Sequence, residues 1–449
     1  LDSLRTVPII PGEERRYAMD KERSDQRLRV LQQMEIKDKV VLIRVDHNVV
    51  KKGKIKDPYR IDATIPTLYA VAAAGGRPIL MTHVGRPKDK KTGRINVQEG
   101  DSVKPIARYL EQKLPVRIQA VDLPVDPEGG ILHIGDSLKG AIQDLKARKF
   151  GMLYLPNTRW FKGEQSKGPE RGQLTEELAS LADVFVNDAF GSWQPDVSTF
   201  DVARKLPSCA GHLLQKEIGN LDKVLNPEKP FVAVIAGAKY DTKIGPLQAL
   251  YQKADYLILG GLMYNTFLSA KYSVEIEGVT EEDRTLATSL VELDRKQGKI
   301  LELKYLEESD TLEGRIGGKH RIHSLEDLKG KKKAGFILDA AVQSFEDPRL
   351  SEIMGSAKTI FVNAVMGLMP HFAEGSKALY ELITSNKSAM KLFGGGDTLQ
   401  ELRRLCPGAY MSGLDDPRTY YFTGGGSVLT AIEQGSAYKL KPVEALMEV

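Results

Sequence analysis

The feature that most restricts how this chain can fold is a repeated unit: a short β-branched or apolar run, a polar or glycine-rich turn, then a longer stretch of helical spacing. VVLIRV (40–45), PILMTHV (78–84), MLYL (152–155) and DVFVND (183–188) form a first series. FVAVIAG (231–237), YLILGG (256–261), GFILD (335–339), TIFVN (359–363), LFGGG (392–396) and YFTGGG (421–426) form a second. Such runs alternating with helical segments predict βαβ units around largely parallel sheets. At 449 residues the chain also exceeds the roughly 250–300 residues that one core supports. The expected class is α/β, with two doubly wound parallel-sheet lobes joined by a hinge helix.

The expected boundaries are an N-terminal extension (1–37), a first lobe (38–208), a connecting helix (209–225), a second lobe (226–435) and a C-terminal tail (436–449). Leu213, Leu214, Ile218 and Leu221 give the connecting segment its helical spacing. The charged, Leu-spaced stretch 23–34 predicts a short helix on a loose arm. The basic stretch 329–333, which follows a helical region at 283–297, predicts a solvated loop.

Composition excludes several classes. Hydrophobic content of 41% and charged content of 28% are those of a soluble globular protein, and no apolar run reaches the roughly 18 residues of a membrane helix. A net charge of +4, from 64 basic and 60 acidic residues, is too small to point to nucleic acid. Cys209 and Cys406 form no C-x-x-C pair and suggest neither zinc nor a disulfide framework. The expected partners are small molecules, with no nucleic acid and no membrane. The expected compartment is cytoplasmic; because the sequence begins at Leu1 rather than Met, an organellar location after presequence removal is the alternative.

Ligands of open α/β sheets bind beyond the carboxyl ends of the strands, so the residues directly after each run are the ones to inspect. In the first half these are Arg44, Asp46, His47 and Asn48, then His83 and Arg86, then Asn157 and Arg159, with Arg60 opening a helical segment. One such arginine would read as a surface ion pair. Several at equivalent strand ends suit a small anion bearing phosphate and carboxylate, which the guanidinium fork grips in bidentate fashion.

In the second half the same positions carry glycines: Gly237 before Lys239, Gly260–Gly261, Gly394 to Gly396 followed by Asp397 and Thr398, and Thr423 followed by Gly424 to Gly426. A single glycine turn is weak evidence. Repeated before helical segments, such turns aim backbone N–H groups at phosphate oxygens. Lys239 and Lys243 begin another such helix and would neutralise phosphoryl charge, and Asp397 is a candidate partner for a nucleotide-bound Mg²⁺. The chain has no G-x-x-x-x-G-K-[ST], no G-x-G-x-x-G in its first βα turn and no G-x-S-x-G. P-loop enzymes, simple dinucleotide dehydrogenases and serine hydrolases of the elbow type are thereby disfavoured.

Taken in order, RVDHN (44–48), DPYRIDATIPTL (57–68), THVGRPK (82–88), NTRWFKGE (157–164), LADVFVNDAFG (181–191), GAKYDTKI (237–244), LFGGGDT (392–398) and FTGGGS (422–427) resemble the motifs of the phosphoglycerate kinase family. The resemblance runs from about Val40 to the C-terminus. It implies phosphoryl transfer between ATP/ADP and the carboxylate of 3-phosphoglycerate, with the acid in the first lobe, Mg²⁺ and nucleotide in the second, and closure about the hinge.

On that carry-over Asp46, Asn48, His83, Arg86 and Arg159, with Arg60, bind the acid. Arg60, Lys239 and Lys243 are catalytic. Gly237, Lys243, Gly261, Asn363, Gly395, Gly396, Asp397, Thr398, Gly424 and Gly425 meet the nucleotide, and Asp397 meets the metal.

The chain departs from the family pattern in both halves. SWQPDV (192–197) replaces a stretch rich in His and Arg, so that Pro195 stands where the family has a substrate arginine, beside Asp196. AGAK (236–239), ILDAAV (337–342) and VNAV (362–365) are altered, Leu262 replaces a glycine near adenine, and Pro370 falls on the ribose-binding glutamate. Two further readings follow from these departures. One is a noncatalytic relative serving as a binding or structural subunit with a protein partner; the other is a kinase with a different phosphoryl donor.

Overall fold

The computed structural model describes residues 27–316 and 319–448. They form two compact units: one runs through Gly219 and takes in the segment from Tyr438, and the other is Asn220–Ala437. The division falls within a helix, His212–Leu225. Among the described residues, no helix is long and apolar enough to cross a membrane. Cys209 and Cys406 are free and buried.

The first unit is built on β1 (Val40–Val45), β2 (Arg77–Met81), β3 (Ile118–Ala120), β4 (Met152–Tyr154), β5 (Val184–Asp188) and β6 (Ser208–Ala210). They form one parallel sheet in the order β3-β4-β2-β1-β5-β6. Every residue of β1 and β5 is buried, which is why these runs are continuously apolar rather than alternating. Winding goes one way from β1 to β2 and the other way from β5 to β6, so the switch point lies between β1 and β5. Around it lie α1 (Tyr59–Asp62), α2 (Pro169–Ala179) and the first turns of α3 (His212–Leu225).

In the second unit β7 (Phe231–Gly237) and β8 (Tyr256–Gly260) precede a three-stranded antiparallel sheet of β9 (Tyr305–Ser309), β10 (His320–Ser324) and β11 (Phe336–Ala340). β12 (Thr359–Asn363), β13 (Met390–Phe393) and β14 (Thr419–Tyr421) complete a parallel sheet in the order β8-β7-β12-β13-β14. Its switch point lies between β7 and β12. α4 (Ile244–Lys253), α5 (Gly261–Tyr272), α6 (Glu374–Ser385), α7 (Gly396–Leu405) and α8 (Gly425–Gln434) connect or follow these strands.

Three local expectations need correction. The GFILD run is β11 of the antiparallel sheet, not a strand of the parallel one. Its neighbour β9 carries Glu307 and Glu308, which are buried because cations surround them. Glu308 meets Arg321, His323 at 2.9 Å and Lys331 at 3.0 Å. That last pair also corrects the stretch 329–333, where Lys331 serves this buried carboxylate and Lys333 lies in a short strand, Lys333–Ala334.

The described part of the extension is not a helix on a loose arm. Leu28 and Val30 bridge to Met447 and Ala210, and only Leu31–Gln33 makes a helical turn. Arg29 donates to the carbonyls of Leu446 (3.1 Å) and Ala445 (2.9 Å), and Leu28, Leu31 and Ile36 are buried. Backbone groups engaged with neighbouring strands are lost to a helix. Residues 23–26 of the expected helix lie outside the described residues.

Candidate active site

β1 delivers Arg44 and Asp46 to the switch point of the first unit, but the two face different tasks. Arg44 is buried at 1% exposure. Its Nε donates to Ser198 Oγ (2.9 Å), one Nη to the Val45 carbonyl and the other to His83 Nδ1 (3.0 Å). A guanidinium only donates, so His83 Nδ1 accepts and a neutral His83 carries its proton on Nε2. Burial, then the charges of Arg44, Arg159, Arg60 and Arg86, hold the His83 pKa well below its ordinary value. His83 is thus a neutral donor among cations.

His47 resolves the same way. The Thr64 hydroxyl donates to the Ile61 carbonyl (2.8 Å) and so accepts from His47 Nε2 (2.9 Å), while Nδ1 accepts from the Tyr154 hydroxyl (2.9 Å). Burial, with Arg44 beside it, lowers the His47 pKa to about 3. Asn157 is equally committed: its Oδ1 accepts from Val84 N and Arg159 N, and its Nδ2 donates to the carbonyls of Val84 and Asp101. Arg44, His47 and Asn157, which their strand-end positions offered as anion contacts, are therefore framework.

The groups left for a ligand are different ones. Asp46 Oδ2 pairs with Arg60 on α1 at 3.2 Å, while Asp46 Oδ1 is buried with no partner among the described residues. Arg159 donates one Nη to the Gly85 carbonyl (2.6 Å), and its Nε is likewise buried and unpartnered. Asn48 Oδ1 accepts from Gly85 N (2.9 Å), which ties the turn before exposed Arg86 to the end of β1. A buried acceptor and a buried donor without partners, amid Arg60, Arg86 and neutral His83, mark a place where a ligand completes the hydrogen bonding.

Sequence reasoning assigned no role to Glu164 or Ser198. Glu164 accepts from both the backbone N–H (3.0 Å) and the hydroxyl of Ser198, which itself accepts from Arg44. Burial and nearby Asp196 push its pKa up to about 7. The position of Glu164 at the end of the 157–164 motif was the available signal; Ser198, ten residues beyond β5, gave none.

In the second unit the switch point is held by a lysine. Lys243 Nζ donates to the Ala236 carbonyl (2.5 Å) and to Asn363 Oδ1 (2.9 Å), joining the ends of β7 and β12. Asn363 Nδ2 donates onward to the Gly394 carbonyl (2.7 Å). Burial lowers the Lys243 pKa, and the negative charge of Asp397 opposes that shift. Lys239 is exposed in the turn between β7 and α4.

α4, α7 and α8 follow the carboxyl ends of β7, β13 and β14, so their orphan N–H groups gather on one side of the sheet. Gly395, at φ +109°, and Gly425 pack backbone against backbone: a Cβ on Gly425 would stand 2.4 Å from Gly395 Cα. Only glycine permits that approach. Thr398 is buried in the first turn of α7, and Asp397 beside it is exposed. Gly237 ends β7, Gly261 and Gly396 open α5 and α7, and Gly424 caps α8.

Beyond β8 the space is small. A cavity of about 10 Å³, room for one water, is lined by Gly260, Gly261, Tyr264, Asp339 and Met366. Met366 Sδ lies 2.6 Å from where a Cβ on Gly260 would stand. Leu262 is half-buried on α5. Pro370 brings no carboxylate, and Glu374 at the start of α6 is paired with Arg315 at 2.6 Å. Among the described residues no three His, Cys, Asp or Glu side chains gather to hold a metal ion.

The family model for phosphoglycerate kinase matches residues 31–435. A phosphoglycerate kinase of Dictyoglomus turgidum is 32% identical over 409 residues, covering 90% of this chain and 95% of its own. One of Moorella thermoacetica is 34% identical over the same shares. The solved structure of phosphoglycerate kinase from Coxiella burnetii matches with a TM-score of 0.71 and 28% identity, over 93% of this chain and 98% of that one. With two parallel sheets, a cluster of arginines at one switch point and a lysine among glycine turns at the other, the chain belongs to the phosphoglycerate kinase family of phosphotransferases.

Proposed function

We propose that the chain transfers the γ-phosphoryl group of ATP to the carboxylate of 3-phosphoglycerate, and the reverse, with the residues named above in distinct roles. The observation that carries this reading is the pair of unmet buried groups, Asp46 Oδ1 and Arg159 Nε, among Arg60, Arg86 and neutral His83. Asp46 Oδ1 suits the hydroxyl of a hydroxy acid, as an acceptor awaiting a donor. Arg86, Arg159 and His83 suit its phosphate oxygens, with Asn48 holding the turn that carries Arg86.

The attacking carboxylate is ionised near neutral pH, so no general base is needed. Its oxygen bonds to the γ-phosphorus, the bond from phosphorus to the bridging oxygen breaks, and ADP leaves with the electron pair. Charge on the phosphoryl oxygens is then what the protein must stabilise. Arg60 supplies this from the acid's side, and Lys239 and Lys243 from the nucleotide's side, together with the N–H groups that open α4, α7 and α8.

Asp397 fits the part of a Mg²⁺ ligand. Mg²⁺ is ordinarily held by one or two carboxylates, with phosphate oxygens and water filling the remaining positions, and an exposed carboxylate next to a phosphate-binding helix start meets that requirement. When bound, the ion neutralises charge on the nucleotide phosphates. A cytoplasmic location accords with free, buried cysteines.

Calorimetric titration with 3-phosphoglycerate tests the acid site. Binding is expected in the parent, with loss of about tenfold to a hundredfold in Arg159→Ala. Equal affinity in the two would remove Arg159 from the site.

A further inference from the structure

The loop after β5 sets a carboxylate against the anion site, where anion binding by itself calls for none. Asp196 is half-buried at the start of the turn Val197–Asp201, and its side chain accepts from the backbone of Thr199 and from Gln165 Nε2 (3.3 Å). Its negative charge raises the proton affinity of Glu164 and Arg159, and Arg44, Arg159 and Arg171 in turn favour its ionised form against burial. The residue before it adds no cation: Pro195 contributes only its carbonyl, which accepts from Arg171 Nη2 at 2.6 Å. Across the loop, Ser192 Oγ stands 3.5 Å from His83 Nδ1. The turn that Asp196 opens is bonded into the site, Val197 N donating to the Glu164 carbonyl (3.1 Å) and Ser198 Oγ accepting from Arg44 Nε (2.9 Å), which keeps the Asp196 charge near the guanidinium cluster that includes Arg159.

We infer that Asp196 is a specificity-determining residue, whose charge weakens the hold of the first unit on a doubly charged phosphate relative to acids of lower charge. The inference rests on the acid-binding reading above. The capping role does not require the charge, because an Asn oxygen caps a turn as well as an Asp oxygen does. Charge and cap are thus separable by a single substitution. Removing one like charge from a partly solvated site changes affinity by about three- to tenfold.

The test is calorimetry at low ionic strength on the full chain and its Asp196→Asn variant, with 3-phosphoglycerate and with glycerate. The variant is expected to bind 3-phosphoglycerate about three- to tenfold more tightly and glycerate with a much smaller change, and added salt is expected to shrink the difference. An unchanged melting temperature reports the intact cap. Asp196→Ser, which also keeps a capping oxygen, must move affinity in the same direction. Parent and variants binding 3-phosphoglycerate equally would overturn this inference and leave the acid site standing. No binding by any of them would overturn both.

Discussion

Residue by residue, the first unit separates framework from site by what each polar atom already holds. His47 and His83 share an environment rich in cations, and both are kept neutral, His47 with a pKa of about 3. Neither should titrate between pH 5 and 8, so their ring signals in an NMR titration should stay fixed across that range. Movement of either near pH 6.5 would refute the assigned tautomers. The sign for stability follows: the unfolded chain binds a proton at His47 below about 6.5 that the folded chain refuses, so His47 costs stability as pH falls from there toward 3. Spacing placed Arg44 and Arg159 alike at strand ends. Only the hydrogen bonds distinguish Arg44, with partners on Ser198, Val45 and His83, from Arg159, whose Nε is unmet.

At the level of elements, the parallel strands were legible because burial on both faces writes a continuous apolar run, as in β1, β5, β7 and β12. β3 and β6, with the sequences IQA and SCA, hold too few large apolar residues to write one. β9 and β10 were hidden for another reason: their Glu and His residues read as solvent-facing, and the cations that let Glu307 and Glu308 be buried lie elsewhere in the sequence.

The glycine turns were legible as turns, but not their mutual contact. Gly425→Ala should therefore force the α7 and α8 openings apart and weaken nucleotide binding by at least about tenfold, measured by calorimetry with ADP. Unaltered binding would show that the close approach does not shape the site.

The start of α3 offers a second test. Asp188 accepts from Leu214 N (3.1 Å), and burial pushes its pKa up to about 7. Between the ordinary carboxyl range and pH 7 the folded state holds a proton that the unfolded state has released. Asp188 therefore lowers stability as pH rises through that window. Asp188→Asn keeps the acceptor without the charge, and its stability relative to the parent should improve by roughly 2 kcal/mol from pH 5 to pH 8. A pH-independent difference in denaturant unfolding would contradict the assignment.

For the molecule as a whole, the two sheets carry complementary chemistry. On the proposed function, one switch point would offer guanidinium groups and a buried acceptor to a phosphorylated acid, and the other Lys243, Asn363 and the helix starts to nucleotide phosphates. Among the departures from the family pattern, Asp196 sets a negative charge that acts on Arg159, and Pro370 brings no carboxylate. Asp46, Arg60, Arg159 and Lys243 themselves are all retained. The central claim is that this set suffices for phosphoryl transfer. The direct measurement is a coupled assay for ADP release from MgATP, dependent on 3-phosphoglycerate, with purified parent, Arg60→Ala and Lys243→Ala. The account predicts turnover by the parent and a fall of at least about a hundredfold in kcat for each variant. Turnover that persists in both variants, or a parent that binds both ligands yet releases no ADP, would contradict it.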